Sequence, residues 1–389
     1  MVTTSRTVHD FVYLQTAQHL CGRPLLPRLS FISTTGSLEF LPNLLSPTLL
    51  GIEILENHSI PVAPLLHSIF NGCPAIQNFL YRGSLSEHSF HALKCASSLR
   101  RLSICQSDLY WRLPKHFWSV QLESIASLDS LEELSLSICE TSVLPPIADM
   151  QAFRALQSLT LEIPCPLVLP FFQACRFDSL RTLILSLQIT RRAKAPLELW
   201  QEIVSIVGRW GSKLSEISFF HLGQRDLHPG TPVTGISYLK PLLDNCRLQK
   251  LIVDNDLVSL WSDNDILHVT SVWPDLQVLR LLGYMTSYGR PVASIEALKC
   301  VAQRLPQLQR LEIPVNLSHL SLDTPCTRAS HNLEHLHVDG IITGRDLISI
   351  AHHLHALFPI LSLTFPKSFA ANDYRRNLER LLYLCQNAH

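Results

Sequence analysis

The chain is poor in charge. Of its 389 residues only 16% are Asp, Glu, Lys or Arg, against 47% in the apolar set. Intrinsic disorder needs the opposite balance and is excluded. An excess of either sign is also missing, because 32 basic residues face 32 acidic ones at a pI near 7.3. Such a field gives no pull toward nucleic acid or an anionic membrane. Glycine is scarce, at 14 residues. No P-loop, G-x-G-x-x-G, G-x-S-x-G or H-E-x-x-H motif occurs, which removes the usual phosphate, dinucleotide, esterase and zinc-protease readings. Long apolar runs are absent too. The longest, Leu167 to Phe172, contains Pro170 and is far too short to span a bilayer. No apolar signal segment follows Met1 to Arg6. These absences predict a soluble, intracellular chain, cytoplasmic or nuclear.

The eleven cysteines form no C-x-x-C pair. Most interrupt apolar runs, as Cys105 and Cys139 do. They read as buried, reduced thiols acting as small hydrophobes, which fits a reducing compartment and needs no cofactor.

What is abundant is leucine, with 71 residues. So much Leu with so little Gly points away from β-sandwiches and dinucleotide folds. The phrase L-x-x-L-x-L occurs at Leu131, Leu156 and Leu180. With Ile, Val, Phe or Tyr allowed for Leu, further copies begin at Leu26, Leu49, Ile76, Leu99, Leu214, Leu248, Leu276, Leu308, Leu333 and Ile360. The thirteen starts are 23 to 34 residues apart. That is the period of long leucine-rich repeats, each a strand followed by a helix. Segments between strands carry helical apolar spacing, notably Pro196 to Trp210, Ser294 to Leu305 and Asp346 to Leu357. One unit alone cannot bury its apolar face, so the expected architecture is α/β: a leucine-rich repeat solenoid, curved as a horseshoe, of about thirteen irregular units. Residues 1–22 are expected to form an N-terminal helical cap, centred on Thr7 to Leu20. The solenoid spans 23–368 and a capping helix fills 369–389. The consensus Asn/Cys position, eight residues after a start, holds Asn57, Cys139 and Asn316. Asn57 and Asn316 therefore read as buried ladder residues rather than glycan acceptors.

Several phrases resemble the leucine-rich region of fungal, mushroom-type F-box proteins. They are Pro24-Leu-Leu-Pro-Arg-Leu29, Phe40-Leu-Pro-Asn-Leu-Leu-Ser-Pro-Thr-Leu49, Leu65-Leu-His-Ser-Ile69, Cys73-Pro-Ala-Ile76 and Ser127 to Leu136, in family order. The resemblance implies a substrate-recognition module of a cullin-type ubiquitin ligase, joined through an F-box to a Skp adaptor and a cullin. With a first repeat at Leu26 the sequence leaves no room for that F-box, so it would be supplied upstream. Ile60 to Phe70 looks superficially like an F-box opening, but it lacks the acidic residue and reads as a repeat helix. The alternative is a free-standing scaffold or inhibitor with no ligase link.

In such a strand the residues two, four and six after each start point to the concave face. Those expected to contact a protein partner are Lys250, Arg280, Arg310, Glu312, His335 and His337, with Arg28, Glu53, Asn78, Leu80, Arg82, Arg101 and Glu133 nearer the N-terminus. Mixed charge among apolar residues suits a protein partner. The long segment His221 to Gly235 is a second candidate contact. Eighteen histidines are the one oddity. His331, His335, His337, His352, His353 and His355 read as surface residues rather than a metal site, and no catalytic constellation emerges. The expectation is a monomeric binding protein, not an enzyme, with no metal.

Overall fold

A computed structural model describes residues 2–4, 19, 25–35, 38, 41–55, 62–83, 85–105, 117–138, 151–188, 197–222, 235–254, 261–282, 293–313, 315–317, 331–338, 347–364 and 373–387. The fold is α/β, with parallel strands alternating with helices. By internal contacts the chain divides into two compact units, Met1–Leu180 with Leu185–Thr190, and Arg181–Ile184 with Arg191–His389.

In the first unit the strands are β1 (Val2–Thr4), β2 (Phe31–Thr35), β3 (Gly51–Leu55), β4 (Asn78–Arg82), β5 (Arg101–Cys105), β6 (Glu133–Ser137) and, beyond β7 (Gln151–Phe153), β8 (Ser158–Pro164). Each of β1 to β5 pairs in parallel with the next, and β6 pairs with β8. A separate parallel pair joins β7 to β9 (Cys175–Phe177), where Phe153 and Phe177 stack with centroids 5.5 Å apart. The division between units falls within β10 (Thr182–Gln188). The second unit contains β11 (Glu216–Leu222), β12 (Lys250–Asp254), β13 (Val278–Leu282), β14 (Arg310–Ile313), β15 (His335–Val338) and β16 (Ser362–Thr364), again parallel and in chain order.

The leucine phrase builds a strand in a fixed way. The starting Leu closes a turn, as Leu49 N–H donates to Ser46 O (2.9 Å) and Leu308 N–H to Leu305 O (3.0 Å). The next two N–H groups then share one carbonyl of the preceding repeat. Arg100 and Arg101 both donate to Gln77 O at 2.8 Å, and Gln249 and Lys250 to Ser215 O at 2.8 and 3.1 Å. Alternate strand residues point inward in register: Ile52, Phe79, Leu102, Leu134 and Leu159 in one unit, Ile217, Leu251, Leu279, Leu311 and Leu336 in the other. All of these are buried, and each such side chain contributes about 1.5–3 kcal/mol on burial.

The helices follow the predicted spacing. Leu197–Arg209 buries Trp200, Ile203 and Val207, and Leu347–Leu357 buries Ile350, Leu354 and Leu357. Ile295–Arg304 buries Leu298 and Val301 and is capped by Ser294 Oγ, which accepts from Glu296 N–H at 3.1 Å. Val62–Gly72 covers the phrase read as a repeat helix, with Leu66 and Ile69 fully buried. At the C-terminus Asp373–Asn387 packs on Leu347–Leu357 and buries Leu378 and Leu382. Of the expected helical cap, residues 1–22, Val2–Thr4 and His19 lie within the described residues: His19 is helical, but Val2–Thr4 is a strand, its backbone paired with β2, so the first residues extend the sheet instead of capping it as a helix.

One start needs correction. β2 begins at Phe31, in register with Gly51, so its repeat starts at Leu29 and not Leu26. Leu29 N–H closes the turn on Leu26 O at 3.0 Å, and Leu26 is 38% exposed. A start at Leu26 would place Pro27, which has no N–H, at the junction to the neighbouring carbonyl. In the last repeat the register of Ser362 with His335 keeps the start at Ile360, although Ile360 is 56% exposed and Leu361 beside it is buried, its N–H donating to Phe358 O.

The helix caps of the second unit are linked. Ser262 Oγ accepts from Asp265 N–H (3.2 Å) while Asp265 Oδ2 accepts from Ser262 N–H (2.8 Å), a capping box on the helix Asp263–Val272. Asp263 reaches outward instead, and its carboxylate accepts from Ser294 N–H (2.6 Å) and Ser294 Oγ (2.7 Å) of the next helix start. Asp263→Ala, which leaves the capping box intact, should therefore lower stability by about 1–3 kcal/mol, read by chemical denaturation. A value near zero would show that water replaces both bonds.

The cysteines Cys73, Cys165, Cys175 and Cys246 are buried and free, whereas Cys95 is exposed. Burial raises the Cys165 and Cys246 thiols to about 11, and raises Cys175 further. Native-state alkylation at mildly alkaline pH should modify Cys95 well before these three, as peptide mapping would show.

Candidate functional site

On each strand the residues two and four after the start form rows by backbone register on the face opposite the buried leucines, here termed the open face. In the second unit one row runs Glu216, Lys250, Val278, Arg310, His335 and Ser362, and the next runs Ser218, Ile252, Arg280, Glu312, His337 and Thr364. All six predicted contact residues therefore share this face by register. Three of them are brought together. Glu312 is buried, 5% exposed, although it lies on the open face. Arg280 Nε stands 3.2 Å from its Oε2, and the Arg310 guanidinium holds its Oε1. Two guanidiniums around one carboxylate leave the cluster with one net positive charge, and the arginines stay partly accessible, 28% and 52%. Lys250 instead pairs with Glu216 at 3.5 Å on the neighbouring strand. His335 is exposed beside Arg310, and His337 follows in backbone register with Glu312.

The first unit carries a different feature. A groove of about 430 Å³ runs along its open face over β2 to β8. Among its lining residues are Phe31, Glu53, Asn78, Leu80, Arg101 and Glu133. Gly51 sets where one of its walls stands. In the row Phe31, Gly51, Asn78, Arg101, Glu133 this is the one residue without a side chain. A Cβ there would meet the Phe31 ring at 2.7 Å and Asn78 Cβ at 3.5 Å. The Phe31 ring thus leans over the glycine and forms an apolar wall. Arg101 pairs with Glu133 at 3.1 Å. Further along, the Glu162 carboxylate accepts from Ser137 Oγ and Gln188 Nε2, both at 3.0 Å.

Of the residues that sequence spacing assigns to this face, Glu53, Asn78, Leu80, Arg82, Arg101 and Glu133 all take the expected rows. Phe31 is missed because a start at Leu26 sets the first strand three residues early; Gly51, two residues after the correct start at Leu49, is missed because it carries no side chain. By the same slip Arg28 is not on the face; it is exposed in the turn before β2. Asn57, Cys139, Asp339 and the segment after Leu222 up to Gly235 lie outside the described residues. Asn316 is half-buried, and its backbone N–H donates to Ala293 O at 2.8 Å.

His331 is a correction. Read as a surface residue, it is 3% exposed and packs edge-on against Phe358, centroids 5.2 Å apart. Its Nδ1 accepts from Leu333 N–H (3.0 Å), so Nε2 carries the proton and donates to Leu305 O (2.7 Å). The ring joins one repeat's turn to the next. On the following helix His353 bonds Ser349 O through Nδ1 (2.9 Å), whereas His352 is exposed. Among the described residues no three His, Cys, Asp or Glu are grouped to hold a metal, and no helix is long and apolar enough to cross a membrane.

No family model matches the chain, and a search of curated proteins finds no match.

Burial lowers the His331 pKa, since the imidazolium would be desolvated. Its neutral form therefore stabilises the fold fully above the unfolded value of about 6.5, and that contribution is lost as pH falls below it. His331→Ala should cost about 1–3 kcal/mol near pH 7.5. The stability gap between wild type and variant should narrow on acidification to about pH 5, as denaturation at a series of pH values would show. A gap constant with pH would mean that His331 is not held neutral.

Proposed function

We propose that the chain is a protein-binding module: a leucine-rich repeat solenoid whose open strand face holds a partner by shape and charge, as in the substrate-recognition repeats of F-box proteins. The observation that supports this most directly is the open face itself. Its rows mix charged and apolar side chains that remain accessible, such as Arg310 and Arg101, around half-buried Val278, Ile252 and Leu80. Charge is paired rather than massed, with Arg280–Glu312, Lys250–Glu216 and Arg101–Glu133 all joining neighbouring strands. That pattern suits a protein surface better than a polyanion, which would select a uniformly basic face. The ligase connection rests on the resemblance of Pro24 to Leu29 and the later phrases to F-box repeat regions.

The test is affinity capture by the full-length chain from native extract, quantified by mass spectrometry, against Arg280→Glu/Arg310→Glu and Arg101→Glu/Glu133→Arg. A bound partner should fall at least about tenfold with one pair, about 1.4 kcal/mol, with folding unchanged. Partners retained equally by both variants would overturn the open face as the binding surface. Co-recovery of a Skp adaptor and a cullin supports the ligase reading; a partner without them supports a scaffold instead.

A further inference from the structure

We infer that the groove of the first unit receives a lysine or arginine side chain presented by an extended segment of the partner, which deepens and rests on the protein-binding reading above. Three observations converge on Glu53. First, Glu53 is half-buried and lines the groove, and among the described residues no hydrogen bond or ion pair engages it. Second, the other charges lining the groove cancel, since Arg101 and Glu133 pair at 3.1 Å. Arg82, two residues beyond Leu80 on β4, is exposed and does not line the groove. One negative charge is thus left uncompensated. Third, apolar groups line the groove near it: Leu80, in register with Glu53, and the Phe31 ring, which leans over Gly51 in the next row.

Each kind of incoming side chain meets this arrangement differently. An acidic one places a second carboxylate beside Glu53. A purely apolar one covers Phe31 and Leu80 but strips water from Glu53 without replacing its hydrogen bonds, an expensive loss for a charged group. Lysine and arginine satisfy both demands, laying an apolar stem along the walls and a cationic head on the carboxylate. The groove, at about 430 Å³, is larger than one such side chain. It runs across several strands, so the residues flanking the cation lie along it in extended form. Gly51 is the specificity element: a side chain there would displace the Phe31 ring and close the space in which the stem lies.

The experiment uses the full-length chain and four pools of synthetic nine-residue peptides, randomised except for a central Lys, Arg, Glu or Leu. Affinity selection with mass-spectrometric counting gives the enrichment of each pool. The Lys and Arg pools should exceed the Glu and Leu pools at least about fivefold, about 1 kcal/mol. Glu53→Gln, which keeps the shape, should abolish that preference while leaving the melting temperature unchanged. Gly51→Val should weaken every pool, and Arg310→Glu, in the other unit, should leave the selection as it is. If Gly51→Val fails to fold, the Glu53→Gln result alone decides. Enrichment of the Glu or Leu pool, a cation preference that survives Glu53→Gln, or no enrichment overturns the assignment. The capture experiment is independent of this one: partners sensitive to Arg280 and Arg310 alone would keep the binding reading while this groove is rejected.

Discussion

Every repeat depends on a carbonyl that belongs to its neighbour. At most strand starts two consecutive N–H groups converge on one oxygen of the preceding repeat, as Gln77 and Asn78 do on Leu50 O and Gln309 and Arg310 on Gln277 O. A buried N–H without an acceptor is costly, so no repeat closes its backbone alone. The junction also fixes register. With register set, the inward leucines of adjacent strands meet side by side, and the alternate residues are turned outward by default. A slip of one residue would exchange the two faces along the whole strand. The open face therefore inherits its order from the core.

Its charge pattern follows from the same spacing. Neighbouring strands lie about 4.8 Å apart, within reach of one long side chain to the next. Opposite charges at equal register positions then pair across the ladder, as Arg101 does with Glu133 and Lys250 with Glu216. Accessible pairs of this kind contribute about 0–1 kcal/mol, too little to hold the fold. Their effect is to cancel charge locally, so that the residues left over define what a ligand meets. Glu312 is different, because two guanidiniums cover it and removing either would leave a buried charge short of a partner.

The strand rows are legible in the sequence because Leu at fixed spacing is a strong signal, and the starts from Leu49 to Leu333 carry it through both units. The first start is misread because Leu26, Leu29 and Phe31 satisfy the phrase in full, whereas counting from Leu29 puts Thr34 at its last place; the missing N–H of Pro27 is the clue against Leu26. At the last repeat the register follows the phrase from Ile360, but the buried place goes to its neighbour Leu361. The pair β7 and β9 is only three residues on each side and carries no repeat signal. Counting along the phrase finds the contact residues but not their grouping. Nothing in the spacing says that Arg280 and Arg310 share Glu312 while Lys250 turns to Glu216. His331 escapes such a reading because a polar residue beside a leucine start looks exposed; only the neighbouring turn supplies Leu305 O and makes it a core residue.

The shared carbonyl also has a kinetic meaning. Within each unit the main strands pair in chain order, so the contacts that matter close loops of one repeat and none spans the whole chain. Such a chain need not find a distant partner before folding is rewarded; it can nucleate at any junction and extend outward one repeat at a time. The converse holds for the last strand. Its junction keeps the bond from Ser362 N–H to Glu334 O, and a side-chain tie from Gln386 Nε2 to Leu361 O secures it from outside. The closing helix is thus a clasp on a zipper.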